Sequence, residues 1–326
     1  MGGQERDGVA LTNLDQALFA GAEATKRDLV DYLDAISGVF IPQLRDRPLS
    51  VVRVLRGQAP FMQKNVPKYA PDFVRTVEMW AESSHRHVAY ALCNDRRTLL
   101  WFANQRAVEY HPTLVRAGHF DHPDYLVLDL DPPADAGADG FVLAARTAKL
   151  VREALAGAGL AGAVKTSGAK GVHVFVPLAA SETTAAAAAA TRAVAARAER
   201  LDPDLATTAF IREDRGGKVF IDPTRAGGAT VVAVYSPRIR PGTPVSFPVR
   251  WEDLDNVSPR DFTVRQAADL LAGRDIWAQL LPRPQSLPAD LVAEGQAIPV
   301  ARVAAMHEGK RRARALRAQG PPDAAR

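Results

Sequence analysis

The apolar residues of this chain fall into short runs broken by polar and proline-rich stretches, and the runs carry both helical and strand character. Residues 25–37 read as a helix, with Thr25 placed to cap it and Asp28 at the third position to answer the cap. A β-rich region follows. LSVVRVL (49–55), HVAYALC (87–93) and TLLWFA (98–103) read as strands, the last two joined by the turn-like Asn94-Asp95. YLVLDL (125–130) reads as the central strand, and Phe141–Leu155 shows apolar residues at helical spacing. AVKTSG (163–168) and GVHVFVPL (171–178) form two strands around a glycine turn, and alanine abundance predicts a helix from about Thr183 to Leu201. KVFID (218–222) and ATVVAVYS (229–236) read as late strands. The stretch from Pro237 to Pro248 must be loop or edge, because proline donates nothing to a ladder. Short helices are expected at 261–273 and near 300–318. Strands that neighbour strands, mixed with helices, predict an α+β fold.

Within that frame one strand ends oddly. YLVLDLDPP (125–133) closes an apolar run with Asp129 and Asp131, then stops at two prolines. Residues i and i+2 of a strand project from one face, so the two carboxylates point the same way. Two acids held that close repel unless a cation sits between them, and the pair suits Mg²⁺ or Mn²⁺, hard ions that take oxygen ligands. The competing reading is a plain strand end meeting solvent. KVFID repeats the design at Asp222, followed again by proline. Three strand-end acids could hold two ions ~3.5–4 Å apart, as in-line phosphoryl displacement requires. The alternative for Asp222 is a salt bridge to Lys218 or Arg225.

Two basic clusters accompany the acids. Around the glycine turn stand Ser167, Lys170 and His173, a hydroxyl, a point charge and a strand-borne imidazole, with Gly168 and Gly171 allowing backbone to approach an anion closely. This is not a Walker loop, and the pattern is shared with ordinary surface hairpins. Arg238 and Arg240 repeat the i, i+2 spacing with side chains whose forks match phosphate oxygens, or else guard an edge strand. Together, acids for metal and cations for polyphosphate describe a nucleoside-triphosphate site.

Composition narrows the class. With 326 residues and 47% hydrophobic content the chain can bury a substantial core. The single Cys93 excludes an internal disulfide framework and fits a reducing cytoplasm, and no apolar run approaches the ~18 residues of a membrane span. Lys and Arg outnumber Asp and Glu by 41 to 37, which permits an anionic partner. The basic stretch MHEGKRRARALRAQGPPDAAR at the end reads either as a solvated helix and tail or as a phosphate-backbone contact. His85 and His87 lack partners at zinc-ligand spacing, His119 and His122 read as loop, and Trp101 and Phe102 as core.

Several stretches taken in order resemble the polymerase domain of bacterial DNA ligase D, in the archaeo-eukaryotic primase superfamily: LTNLDQALF…TKRDLVDYL, PFMQKNVP, WFANQRAVEYH, LVLDLDPP, KTSGAKGVHVFVPL, GKVFIDPTR and YSPRIRPGTPVSFPVRWEDL. They cover about residues 10–255. The resemblance implies a primase-type fold, mixed or antiparallel central sheets with flanking helices. It implies a polymerase domain over 1–290, an N-terminal part to about 120 packed on a catalytic part, and a C-terminal helix and basic tail over 291–326. It implies that Asp129, Asp131 and Asp222 bind two divalent ions, Mn²⁺ by preference or Mg²⁺. Ser167, Lys170, His173, Arg238 and Arg240 would hold the triphosphate, with Lys64 and His111 near the nucleotide and His111 close to the sugar. Asn13 and Lys26 match positions that grip the 5′-phosphate beyond a gap, and Phe61 one of two aromatics that stack on template DNA. The implied activity is template-dependent addition of nucleotides, ribonucleotides preferred over deoxynucleotides, to primer 3′-OH ends at gaps or breaks. DNA and NTP or dNTP are the implied partners, Ku and a separate DNA ligase the candidate ones, with no membrane role.

The chain departs from the family at Gln16, where lysine is usual, and at Met62, where the second aromatic stands. After Asp222, PTRAGGATVVAV is shorter and lacks the usual Gln-Asn and Lys-Thr-Thr pattern, with Arg225 a possible substitute contact. Two rival readings stay open: a haloacid-dehalogenase-like phosphatase, with the first Asp of D-x-D as nucleophile, and a primase-like protein that holds DNA ends without catalysis.

Overall fold

The expected central strand lies in the middle of the larger sheet of a computed structural model that describes residues 4–81, 86–226 and 230–300. In chain order the first part comprises β1 (Gln4–Arg6), β2 (Val9–Leu11), α1 (Lys26–Ala35), α2 (Ser37–Leu44), β3 (Leu49–Arg53), β4 (Phe61–Gln63), β5 (Thr76–Ala81), β6 (Arg86–Ala91), α3 (Arg96–Asn104) and β7 (Ala107–Pro112). The second comprises β8 (Tyr125–Asp131), α4 (Gly140–Ala156), β9 (Ala163–Thr166), β10 (Val172–Pro177), α5 (Thr184–Leu201), β11 (Ala206–Thr207), β12 (Val219–Asp222), β13 (Pro248–Val249), α6 (Ala267–Leu271), α7 (Ile276–Leu280) and α8 (Ala289–Ala297).

Among the described residues the larger sheet runs β11-β12-β8-β10-β9-β13, antiparallel except for β11 beside β12. Its two faces explain the near-continuous apolar reading of β8. Leu126, Leu128 and Leu130 face α4 and α5 in one core, whereas Val127 enters a second core with Phe175 and Trp277. Each such leucine contributes roughly 1.5–3 kcal/mol of burial. The second core also gathers α1, α3 and the smaller sheet, in which β3 pairs with β4, β6 and β7. Chain from Val231 to Trp277 returns to that core, so the polypeptide crosses between the two parts more than once.

α1 begins as expected. Thr25 Oγ1 accepts from the Asp28 amide at 3.3 Å and the Asp28 carboxylate accepts from the Thr25 amide at 2.6 Å, a complete capping box. Two expected strands are corrected. TLLWFA is the body of α3, capped by Asp95, whose Oδ1 accepts from the Thr98 amide at 2.8 Å. Leu99 through Ala103 are all buried, and the exposed Arg96 and Arg97 and half-buried Asn104 that form the polar side of the helix lie outside that run, so the run alone hides the helical period. ATVVAVYS is irregular where described. The amides of Val231 and Ala233 reach β7 at Pro112 and Tyr110, but Tyr235 turns to φ +70°. The Ser236 hydroxyl then takes the Tyr110 amide that a strand would have paired. The helix expected at 261–273 shrinks to α6. His85, the helix near 300–318 and the basic tail lie outside the described residues, apart from the short approach to residue 300.

Candidate active site

One rung crosses four strands. The register pairs Asp222 with Asp129, Asp129 with His173, and His173 with Lys165. Strand alternation therefore sends all four side chains to the face opposite the α4–α5 core, and Asp131 joins them two residues on. Lys165, with none of its surface exposed, donates to Ser246 Oγ at 2.6 Å and lies 2.8 Å from His173 Nδ1. That contact leaves His173 Nε2 carrying its hydrogen toward Asp129 Oδ1, 3.1 Å away. Burial, then the Lys165 charge, pushes the His173 imidazole down to about 4. Burial and the nearby Arg238 take the Lys165 ammonium well below the usual lysine range.

The acids differ in state. Burial alone would raise Asp129, but His173 and Arg225 outweigh it and hold its carboxyl below the usual range. Asp131 is pushed up to about 6 by burial and by the charge of Asp129. Arg225 Nη2 lies 2.8 Å from Asp129 Oδ2 and 3.1 Å from Asp222 Oδ2. Of the two cations weighed for Asp222, Arg225 takes the contact, and Lys218 donates instead to the Pro203 carbonyl. Thr224 occupies the other Asp222 oxygen through both its amide and its hydroxyl. Among the described residues, no three His, Cys, Asp or Glu side chains already stand as a metal cluster.

A cleft of about 470 Å³ opens beside this rung. Its walls bring together Asp129, Asp131, Ser167, Lys170, His173, His111, Arg238 and Arg240 from among the residues singled out in the sequence, and add Arg225. The turn between β9 and β10 shapes it. Gly168 holds φ +69°, and a Cβ there would sit 2.6 Å from the Arg238 side chain. A Cβ on Gly171 would sit 2.6 Å from the Leu130 carbonyl oxygen. The glycines thus admit Arg238 and the neighbouring strand, where the sequence suggested an anion. Ser167 Oγ accepts from the amides of Ala169 and Gly171, which directs its own hydrogen outward. Lys170 Nζ donates to the Ala134 carbonyl at 2.9 Å.

Glu109 fastens the far wall. It is buried, one oxygen lies 2.9 Å from His111 Nε2, and the other accepts the Ile239 amide at 2.9 Å and faces Arg238 Nε at 3.1 Å. Against the burial penalty, His111 and Arg238 hold its carboxyl down to about 2. Sequence reading passed over both Glu109 and Lys165. The available signal was a charge inside an apolar strand, two places from a chosen residue and so on its face: Glu109 with His111, Lys165 with Ser167.

Other expected residues lie elsewhere. Asn13, Gln16 and Lys26 line a separate cleft of about 190 Å³ with Arg53, Asn104 and Arg106. Lys26 is buried, donates to the Thr12 carbonyl and Asn104 Oδ1 at 2.6 Å each, and is lowered to about 8 by burial and then by Arg106. Phe61 lies on β4 beneath the Arg53 guanidinium, with Met62 exposed next to it. Lys64 is exposed just beyond β4 and does not line the 470 Å³ cleft. No described helix is long and apolar enough to cross a membrane.

Known proteins resemble this chain. The family model described as "LigD, primase-polymerase domain" matches residues 25–277. The bifunctional non-homologous end joining protein LigD of Bacillus subtilis (strain 168) is 32% identical over 266 residues, 80% of this chain and 42% of that protein. The multifunctional non-homologous end joining DNA repair protein LigD of Mycobacterium tuberculosis (strain ATCC 25618 / H37Rv) is 31% identical over 287 residues, 83% of this chain and 37% of the relative. The chain therefore spans about two fifths of the length of these curated relatives. The solved polymerase domain from Mycobacterium tuberculosis Ligase D in complex with DNA superimposes with a TM-score of 0.74 at 29% identity, covering 83% of this chain and 97% of that one. With its antiparallel sheets, its strand-end acids and a family match over most of its length, this chain belongs to the LigD primase-polymerase domain family, an archaeo-eukaryotic primase fold.

Proposed function

We propose that this protein is a template-dependent nucleotidyltransferase that extends primer 3′-OH ends at short DNA gaps or double-strand breaks, preferring ribonucleotides. The observation that carries the reading is the single cleft in which Asp129 and Asp131 face Lys170, Arg238 and Arg240, with Asp222 tied to Asp129 through Arg225. Family membership supports it, and so does the solved relative's complex with DNA.

The acids fit hard divalent ions. Their donors are all oxygen, and Asp131 is pushed up by burial and then by the nearby Asp129 charge, as two acids held close would be. Asp129, Asp131 and Asp222 would hold two such ions, Mn²⁺ or Mg²⁺, which supply charge stabilisation at the reacting phosphate when bound. The protein's own residues do the rest. Lys170, Arg238 and Arg240 bind the triphosphate and neutralise the departing pyrophosphate as the 3′ oxygen bonds to the α-phosphorus. The Ser167 hydroxyl donates to a phosphate oxygen, and His111 meets the sugar. Lys26 and Asn13 hold a downstream 5′-phosphate, with Arg53 and Arg106 supplying positive charge that Gln16 lacks. Phe61 stacks on template bases. Ku and a separate ligase are the partners this role would call on.

The phosphatase reading calls for a small hydroxyl residue soon after the acid pair, where Pro132 and Pro133 stand. A binding protein without catalysis is separated by experiment. On a 5′-phosphorylated gapped duplex with Mn²⁺, templated extension is expected, faster with NTP than with dNTP. Absence of extension, or phosphate release from small phosphoesters instead, overturns the proposal.

Glu109 provides a finer check. Glu109→Gln keeps the shape but loses the charge that orients His111 and Arg238. Charge-assisted hydrogen bonds of this kind are worth roughly 1.5–3 kcal/mol. Steady-state kinetics should show KM for nucleotide rising about tenfold or more, with kcat changed much less. An unchanged KM would remove Glu109 from nucleotide binding.

A further inference from the structure

The placement of Arg225 is unusual. A single guanidinium nitrogen spans Asp129 Oδ2 and Asp222 Oδ2, at 2.8 and 3.1 Å. Among the described residues its Nε is buried without a hydrogen-bond partner, although a guanidinium carries five donors in a fixed fork. The side chain keeps 29% of its surface exposed and lines the cleft that the phosphate-facing cations share. One positive charge thus balances two carboxylates through a contact that leaves part of its donor set unused. A divalent ion would bring twice the charge to the same acids, and the guanidinium would repel it.

We propose that Arg225 is an exchangeable counter-cation: it bridges Asp129 and Asp222 in the metal-free protein, and binding of a divalent ion displaces it. This rests on the reading of the three acids as a metal site. Its consequence is a built-in brake on metal affinity, since every ion that binds must first break the guanidinium bridge. The partly exposed side chain has solvent to move into, and the residue lies beyond the end of β12, outside the sheet ladder. Displacement therefore needs no rearrangement of the strands.

The test uses the full chain without nucleotide, with Mn²⁺ itself as the probe and free Mn²⁺ read by electron paramagnetic resonance. R225Q removes the competing charge, so it should bind Mn²⁺ about tenfold more tightly than wild type, within the range usual for coupled sites. In EDTA the same variant should melt lower than wild type, because the two acids lose their shared cation, and Mn²⁺ should raise its melting temperature further than it raises that of wild type. Equal or weaker Mn²⁺ affinity in R225Q overturns the proposal. Should R225Q fail to fold without metal, R225K carries the test: a lysine bridges two oxygens less well, and affinity at least about threefold above wild type is expected, equality overturning the proposal. Asp131→Asn separates the two levels. If that variant binds Mn²⁺ as wild type does, the metal-site reading itself fails. If it loses Mn²⁺ while R225Q is unchanged, only the role of Arg225 fails.

Discussion

Asp131→Asn should reduce nucleotide addition on a primed template by on the order of a hundredfold or more, the scale on which removal of one preorganised electrostatic group acts. The asparagine preserves shape and takes away the charge, so the loss is chemical. Asp131 sits at the mouth of the cleft, and its carboxyl is pushed up from 3.8 to about 6 by burial and by Asp129. The sign of that shift has two consequences. A bound divalent ion needs the ionised form, so Mn²⁺ affinity and incorporation should both fall as pH drops through about 6. In the metal-free protein the relation reverses. A carboxyl raised above its unfolded value favours the fold while protonated, and that contribution is lost as pH rises through the window from about 4 to about 6. At neutral pH the asparagine variant should accordingly melt above wild type in EDTA and gain less from Mn²⁺. The partial exposure of Asp131 keeps this shift small. An asparagine variant that extends primers at the wild-type rate would remove Asp131 from the machinery.

Gly171→Ala should damage both stability and activity. A Cβ at this position would sit 2.6 Å from the Leu130 carbonyl oxygen and 3.4 Å from Ser167 Oγ. The first neighbour is backbone of β8, so relief can come only by moving β10 away from β8. That pair of strands carries His173, Asp129 and Asp131, and the strain would fall between the latter two. Overpacking of this kind costs about 1–3 kcal/mol, to be read from chemical denaturation. Incorporation should fall further than the unfolded fraction explains, because the acids lose their alignment with Ser167 and Lys170. Gly38→Ala is the control. It lies in α2 with ordinary backbone angles and open space around it, so the change should be neutral or stabilising by up to about 1 kcal/mol. A Gly171→Ala protein as stable and as active as Gly38→Ala would mean that the strand pair yields more easily than its ladder suggests.

Much of this site was legible in the chain. The D-x-D pair at the end of β8, the second strand-end acid at Asp222, and the Ser167–His173 turn follow from period two and from proline and glycine punctuation, which are local properties. So does the cap on α1. What was misread failed for physical reasons. TLLWFA is only the buried middle of α3, whose polar residues Arg96, Arg97 and Asn104 flank it, and a short apolar run reads alike in a buried helix segment and a buried strand. ATVVAVYS has the composition of a strand, but the Ser236 hydroxyl replaces a ladder partner, and composition carries no record of that.

The sequence alone determined which chemistry was on offer: carboxylates at strand ends, cations around a glycine turn, and a family resemblance running in order. Those depend on residue type and near spacing. Only the tertiary structure decided that Asp222, Asp129, His173 and Lys165 share one rung, that Lys165 is buried behind His173, and that Arg225 lies between two acids. Which strands become neighbours, and so which charges meet across a sheet, is set by packing between segments far apart in the chain, and the spacing within one strand does not specify it.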